Sequence, residues 1–266
     1  MAANFWKSSH CQQWLLEKQL LDQVRQDDLA VLSEDEYQKV MIFIAGLVQA
    51  LGEQLKVRQQ VIGTATMYMK RFYSRNSLGS VDPLLLAPTA IFLASKVEEF
   101  GVISNSRLIS TCQAVVKNRF AFAYPQEFPY KIAHVLECEF FLLELMDCCL
   151  VLYHPYRPLL HYAHDMGEPE RVLPLAWKIV NDSLRTDVHL LYPPYQIALA
   201  ALHMACVMLN RDAKQWFAEL SVDMDKIMEI TRQILALYTL WKNYDEKRDI
   251  PAILNKMPKP KTAPDK

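Results

Sequence analysis

Three charged side chains close a stretch that is otherwise almost wholly apolar: Lys96, Glu98 and Glu99 follow DPLLLAPTAIFLAS, which begins at Asp82. An ammonium offers three donors and no acceptor, whereas a carboxylate only accepts. Such a trio can grip backbone carbonyls, backbone N–H groups or an arginine fork. It is not equipped for covalent catalysis, because nothing beside it pairs a nucleophile with a base. The residues before it predict a helix. Asp82 is an N-cap residue and Pro83 suits the first helical position. Leu86, Ala90, Leu93, Ala94 and Val97 then recur at helical spacing, and Ala87 and Ile91 make the other flank apolar as well. A helix apolar nearly all round belongs at the centre of a bundle. Ala87, Ala90 and Ala94 keep it thin, so neighbours pack close. Its charged end has two readings: the solvated terminus of a core helix, or charges delivered to one defined surface spot for a partner.

Other reactive residue types are present without a chemical pattern. His161 and His164 stand three apart with no third ligand in view. The six cysteines form no C-x-x-C pair, and Cys138, Cys148, Cys149 and Cys206 lie in apolar surroundings as small core residues do, which reads as a reducing compartment. There is no glycine-rich phosphate loop, no nucleophile elbow and no carboxylate pair in a plausible cleft. The expectation is therefore no enzyme, no catalytic residue, no cofactor and no metal. A formal charge of −1 over 266 residues gives no electrostatic reason to expect nucleic acid or a membrane surface as partner. Nothing at the start reads as a signal peptide, and no apolar run reaches the roughly 18 residues of a membrane span.

With only six glycines, and rich in Leu, Ala, Met and Gln, the chain reads as all-α. Residues 1–32 form an N-terminal segment with an amphipathic helix carrying Trp6 and Trp14, too apolar to be left uncovered. Ser33 and Glu36 form a capping-box pattern that opens the first helix of a bundle over 33–150. Further helices are expected from about Lys56 to Arg75, through the central helix, at 105–117 and at 128–145. The prolines of YHPYRP mark a boundary, and 151–248 reads as a second bundle, with helices near 159–166, 174–190, 194–209, 213–220 and 223–244. Residues 249–266 read as a disordered Lys/Pro-rich tail. The two bundles align at an offset of 111 residues: Pro83 on Pro194, Ala87 on Ala198, Ala90 on Ala201, Ala94 on Ala205. Lys96 falls on Val207. The second copy keeps the core and drops the charge, which weighs against a purely structural lysine.

LASKVEE after an alanine-rich helix, inside a duplicated five-helix plan, resembles the hallmark of a cyclin box. ALGEQLKVRQQVIGTAT and LECEFFLLELMDCCLVLYHPYRPLL extend the resemblance over essentially the whole chain, toward the cyclins of the Mediator kinase module. It implies two tandem five-helix cyclin boxes with an additional N-terminal helix, and a nuclear, non-catalytic subunit that activates a cyclin-dependent kinase in RNA polymerase II transcription. The kinase-holding Lys and Glu of cyclins fall here on Lys96 and Glu137. Glu98 or, further projecting, Glu99 could pair with activation-loop arginines. The family's docking pattern Met-Arg-Ala-Ile-Leu is replaced by Lys39-Val40-Met41-Ile42-Phe43, which puts substrate recruitment there in doubt. In the second box, Trp177, Asn181, Asp182 and Tyr238, with Trp241, could line a groove for another subunit of the module. Equally, Trp177 could be core while Asn181 and Asp182 bond the backbone at a bend. The competing reading is a general transcription factor of the same duplicated fold that grips DNA; it would need a basic face that this sequence does not offer.

Overall fold

The computed structural model describes residues 4–167 and 169–257. After a 3-10 turn at Phe5–Lys7 come α1 (Ser9–Gln12), α2 (Lys18–Val24), α3 (Gln26–Leu29), α4 (Glu34–Leu55), α5 (Gln59–Tyr73), α6 (Pro83–Val97), α7 (Asn105–Arg119) and α8 (Ile132–Leu145). They are followed by α9 (Tyr156–Asp165), α10 (Pro169–Ser183), α11 (Val188–Leu191), α12 (Pro194–Met208), α13 (Lys214–Glu219), α14 (Met224–Asn243) and α15 (Glu246–Lys256). No strand occurs among the described residues. The helices form two compact units. One holds residues 17–151 and the segment from Tyr244; the other holds the residues up to Leu16 and 152–243.

In the first unit α6 is the hub, packed against α4, α5 and α8. Its start is fixed as the sequence demands: the Asp82 carboxylate accepts from the Leu84 N–H at 2.9 Å and from the Tyr130 hydroxyl at 2.7 Å, with Pro83 at the first position. Burial holds the Asp82 carboxyl above its ordinary pKa in spite of both bonds. The capping box of α4 is complete, with Ser33 Oγ accepting from the Glu36 N–H at 3.2 Å and Glu36 accepting from the Ser33 N–H at 3.0 Å. Lys56 ends α4 in the left-handed region (φ 57°), so α5 begins at Gln59 rather than at Lys56 as the periodicity suggested. Gly52 lets α4 and α5 close up, since a Cβ there would collide with the Ile62 side chain.

The second unit repeats the plan with α12 as hub, packed against α9, α10 and α14. Both hubs are 15-residue helices opening on proline, and Ala87, Ala90, Ala94, Ala198, Ala201 and Ala205 are all fully buried. The expected helix over 174–190 is broken: α10 starts at Pro169 and ends at Ser183, and α11 begins only at Val188.

Both ends of the chain depart from expectation. The segment expected over 1–32 is not one unit with one helix: its described residues, 4–32, form short helical pieces, and the chain changes unit between Leu16 and Glu17. Trp14 is fully buried in the second unit, where the Leu16 N–H donates to the Leu190 carbonyl at 2.8 Å and the Tyr153 N–H donates to His10 Nδ1 at 3.1 Å. Trp6, in contrast, stays 58% exposed near Tyr195. Residues 249–256, expected to be disordered, belong to α15, which lies on α4. Composition argued for a tail, but Ile250 and Ile253 give that segment an apolar stripe that is buried. The rest of the expected tail, 258–266, lies outside the described residues.

Candidate functional site

The last turn of α6 delivers Lys96 to the side of α8. Its Nζ lies 2.5 Å from Glu139 Oε1 and 4.4 Å from the centre of the Phe92 ring. The lysine side chain is 34% exposed and the glutamate 10%, so the pair is anchored on the acid and open on the base. Glu139 sits on the buried stripe of α8 with Val135, Cys138 and Leu142. That corrects the expectation for Glu137, which is exposed. Two residues along an α-helix turn by about 200°, so Glu137 cannot share the Lys96-facing side with Glu139.

Large apolar side chains are exposed on α8, interleaved with the exposed Glu137 and Glu144. Phe140 is 74% exposed, and Leu136 and Phe141 on the same helix are exposed too, as is Val102 just beyond α6. Isolated exposed apolar residues are ordinary, but Leu136 and Phe140 lie within about 100° of Glu139 around α8 and leave an unfinished apolar edge beside the half-buried ion pair, while Phe141 turns away toward Phe72 of α5.

Glu98 and Glu99 part company. Glu98 turns inward: its carboxylate accepts from Thr64 Oγ1 and from Gln60 Nε2, both on α5. Glu99 is exposed, in the left-handed conformation (φ 51°), at the residue that closes α6. The Phe100 N–H reaches back to the Ser95 carbonyl at 3.0 Å and the Glu99 N–H to Lys96 at 3.2 Å, a Schellman closure. The position favours Gly or Asn and disfavours Glu.

In the second unit the residues of the expected groove do come together. Tyr156 stacks on Trp177 at 4.6 Å and donates its hydroxyl to Asn181 Oδ1 at 2.9 Å. Tyr238 donates to Asp182 Oδ2 at 3.0 Å, Arg185 lies 3.7 Å from the other Asp182 oxygen, and the Arg185 guanidinium covers the Trp241 ring at 5.2 Å. Burial raises the pKa of Asp182 against the opposing effects of the Tyr238 hydrogen bond and Arg185. Trp177, Asn181, Asp182 and Tyr238 are each half-buried, and Trp177 and Tyr238 pack against the core of the second unit, while Asn181 and Asp182 are bonded by tyrosine hydroxyls.

Among the described residues no group of three His, Cys, Asp or Glu could hold a metal ion, and no helix is long and apolar enough to cross a membrane. Lys39, in the stretch matched to the family's docking pattern, is paired with Asp35 at 2.7 Å and Asp249 at 3.3 Å.

The cyclin N-terminal domain family matches residues 11–151, and the cyclin C-terminal domain family matches 141–242. This chain belongs to the cyclin family. Its relatives include Cyclin-C of Drosophila melanogaster, 66% identical over 99% of both chains. A chain of the yeast TFIIK complex superposes with a TM-score of 0.65 at 26% identity, covering 86% of this chain and all of the other. A chain of the yeast RNA Pol II CTD kinase CTDK-1 complex shares the fold, with a TM-score of 0.69 at 19% identity over 90% of this chain and 78% of its own. As a cyclin, the protein is a regulatory, kinase-activating subunit and not itself an enzyme.

Sequence reasoning missed Glu139 and Phe140 beside it in this cyclin. The signal was there: Val135, Cys138 and Leu142 define the apolar stripe of α8, and Glu139 is an acid set on that stripe. A charge in an otherwise buried row needs a partner, and Lys96 is that partner.

Proposed function

We propose that this cyclin binds and activates a cyclin-dependent kinase through the α6–α8 face, and that it does so within the Mediator kinase module, regulating RNA polymerase II transcription in the nucleus. The observation that carries the reading is the Lys96–Glu139 pair beside the exposed Leu136 and Phe140. Glu139 holds the ammonium in place before any partner arrives. Lys96 keeps donors to spare for backbone carbonyls at the edge of a docked helix. Phe140 supplies the desolvated, aromatic centre typical of interface hot spots. A kinase needs its catalytic lysine–glutamate pair assembled, which depends on where the helix bearing that glutamate sits. A face that binds only the inward position shifts the equilibrium by its differential affinity for the two states.

Glu99 is the residue suited to pair with activation-loop arginines, since Glu98 is engaged by Thr64 and Gln60. The cluster of Trp177, Asn181, Asp182 and Tyr238 is the surface for a further subunit of the module. Affinity purification from nuclear extract tests the assembly: a cyclin-dependent kinase and other Mediator-module subunits should co-purify, and Asp182→Ala should shed a module subunit while keeping the kinase. Recovery of no kinase would overturn the reading. The relatives carry the Cyclin-C name, which favours this assembly over the DNA-gripping transcription factor. A gel shift at moderate salt should give no complex with duplex DNA.

A further inference from the structure

The turn that carries Glu99 is pinned to α5 on both sides. Before it, Glu98 accepts from Gln60 Nε2 at 2.5 Å and from Thr64 Oγ1 at 2.5 Å. Gln60 and Thr64 are four apart, so they share one face of α5. After it, the guanidinium of Arg58, the cap residue of α5, lies over the Phe100 ring at 6.0 Å. Thr64 is buried and Gln60 exposed, so the Glu98 carboxylate is held at the boundary between core and solvent. Hydrogen bonds to a carboxylate are of the stronger kind.

Closing the motif does not require this clamp. At the matching turn of α12 the place of Glu98 is taken by Leu209, which packs against the apolar core of the second unit. The left-handed residue there is Asn210, which accepts that conformation readily. In α6 it is a glutamate, for which the left-handed region is unfavourable. Such residues persist only where their surroundings over-determine them. Arg58, Gln60 and Thr64 are those surroundings. With residues 98 and 100 both tied to α5, the backbone between them has little freedom, and the Glu99 side chain leaves it in one direction.

We propose that Gln60 and Thr64 are positioning residues for kinase activation. They act through Glu98: by holding the closing turn of α6 they present the Glu99 carboxylate, in advance, to the arginines of the kinase activation loop. This role rests on the pairing of Glu99 with those arginines. The gain is preorganisation, because an anchored carboxylate need not be ordered when the loop arrives. Releasing the turn should lower activation roughly five- to thirtyfold, the ratio that about 1–2 kcal/mol of left-handed penalty becomes at ~1.4 kcal/mol per decade.

The test measures binding and turnover separately. It uses the cyclin-dependent kinase that co-purifies with the wild-type chain, stripped of cyclin, and a Ser-Pro peptide as phosphate acceptor. Thr64→Val should lower kcat at least fivefold while the Kd for the kinase stays within twofold of wild type. Thr64→Ser should restore kcat. Gln60→Met, at an exposed position where misfolding is not at issue, should lower it at least twofold. Tyr68→Phe is the control: it removes a hydroxyl bond of the same helix, to the Leu150 carbonyl, and should leave kcat unchanged. An equal loss in Tyr68→Phe, or parallel losses of binding and turnover in Thr64→Val, would reduce Thr64 to a structural part and overturn the proposal. Glu99→Gln separates the two readings. A loss with Glu99→Gln but not with Thr64→Val overturns the positioning role alone. Wild-type kcat with Glu99→Gln overturns the pairing of Glu99, and the positioning role with it. Hydrogen exchange on the cyclin by itself gives a check free of the kinase. The Phe100 amide, bonded to the Ser95 carbonyl, should exchange at least tenfold faster in Thr64→Val than in wild type, and unchanged protection would sink the clamp.

Discussion

α6 and α12 end in the same backbone motif with opposite chemistry. Each is a 15-residue helix closed by a residue at φ 51°, and in α12 the Arg211 N–H reaches the Cys206 carbonyl at 2.8 Å as Phe100 reaches Ser95 in α6. The closing residue of α12 is Asn210, which tolerates that conformation; the closing residue of α6 is Glu99, which does not. One turn earlier, Lys96 corresponds to Val207, 61% exposed and without charge. On the helix that packs alongside, the buried pattern Val135, Cys138, Glu139, Leu142 recurs as Ile227, Ile230, Thr231, Ile234. Thr231 spends its hydroxyl on its own helix, at the Ile227 carbonyl. The bundle thus closes well without lysine, glutamate pair or strained glutamate. What the first unit adds at this spot is not needed for folding, and that is the physical case for a partner.

The largest effect should come from the pair itself. Truncating one member of a desolvated interface pair costs roughly 2–5 kcal/mol, so Lys96→Ala or Glu139→Ala should weaken kinase binding by about 30- to several-thousand-fold in calorimetry. Val207→Ala should leave binding unchanged, and a comparable loss there would dissolve the contrast. Next come the two thin helices, where the units should behave alike. Ala90→Leu and Ala201→Leu should each destabilise by about 1–3 kcal/mol through overpacking, read as a lowered melting temperature. Phe140→Ala should cost more than about 1 kcal/mol of kinase affinity and, being exposed, within about 0.5 kcal/mol of stability; Leu235→Ala on α14 should affect neither.

Glu99→Gly should separate stability from activity. Relief of the left-handed backbone should raise stability by about 1 kcal/mol, or roughly 2–4 °C in melting temperature. Kinase activation should fall more than kinase binding; equal losses would remove Glu99 from the activation step. The smallest effect concerns α15. The hydrogen bond from Lys256 holds the Glu36 carboxyl below its ordinary pKa, and Arg248, then Lys39, do the same for Asp249. Carboxyls depressed in the folded state stabilise it above their ordinary range and lose that contribution as pH falls through the depressed values. Protection of the α15 amides should therefore drop below about pH 4 while that of α6 holds.

Much of this was legible in sequence because it is local or repeated. The Ser33–Glu36 box, Asp82–Pro83 and the alanine rhythm are short-range patterns, and the Lys96–Val207 mismatch stood out because the core around it repeats. Glu139 was missed because a partner was assigned from a family position rather than from the phase of α8. α15 was missed because Pro251 and its charges look like a tail until α4, some two hundred residues earlier, offers Lys39 and Glu36 to meet them. The breaks around Trp14 followed the same rule: the Leu16–Leu190 bond is long-range, and no window of neighbouring residues contains it.

The pairing of each unit with a segment from the far end of the chain has a consequence for biosynthesis. On the ribosome, α4 to α8 emerge early, yet the strip of α4 that receives Ile250 and Ile253 stays bare until the chain has grown from Leu145 to Ile250 and beyond. During that interval the nascent protein presents an uncapped apolar ridge, a natural point of contact for a chaperone.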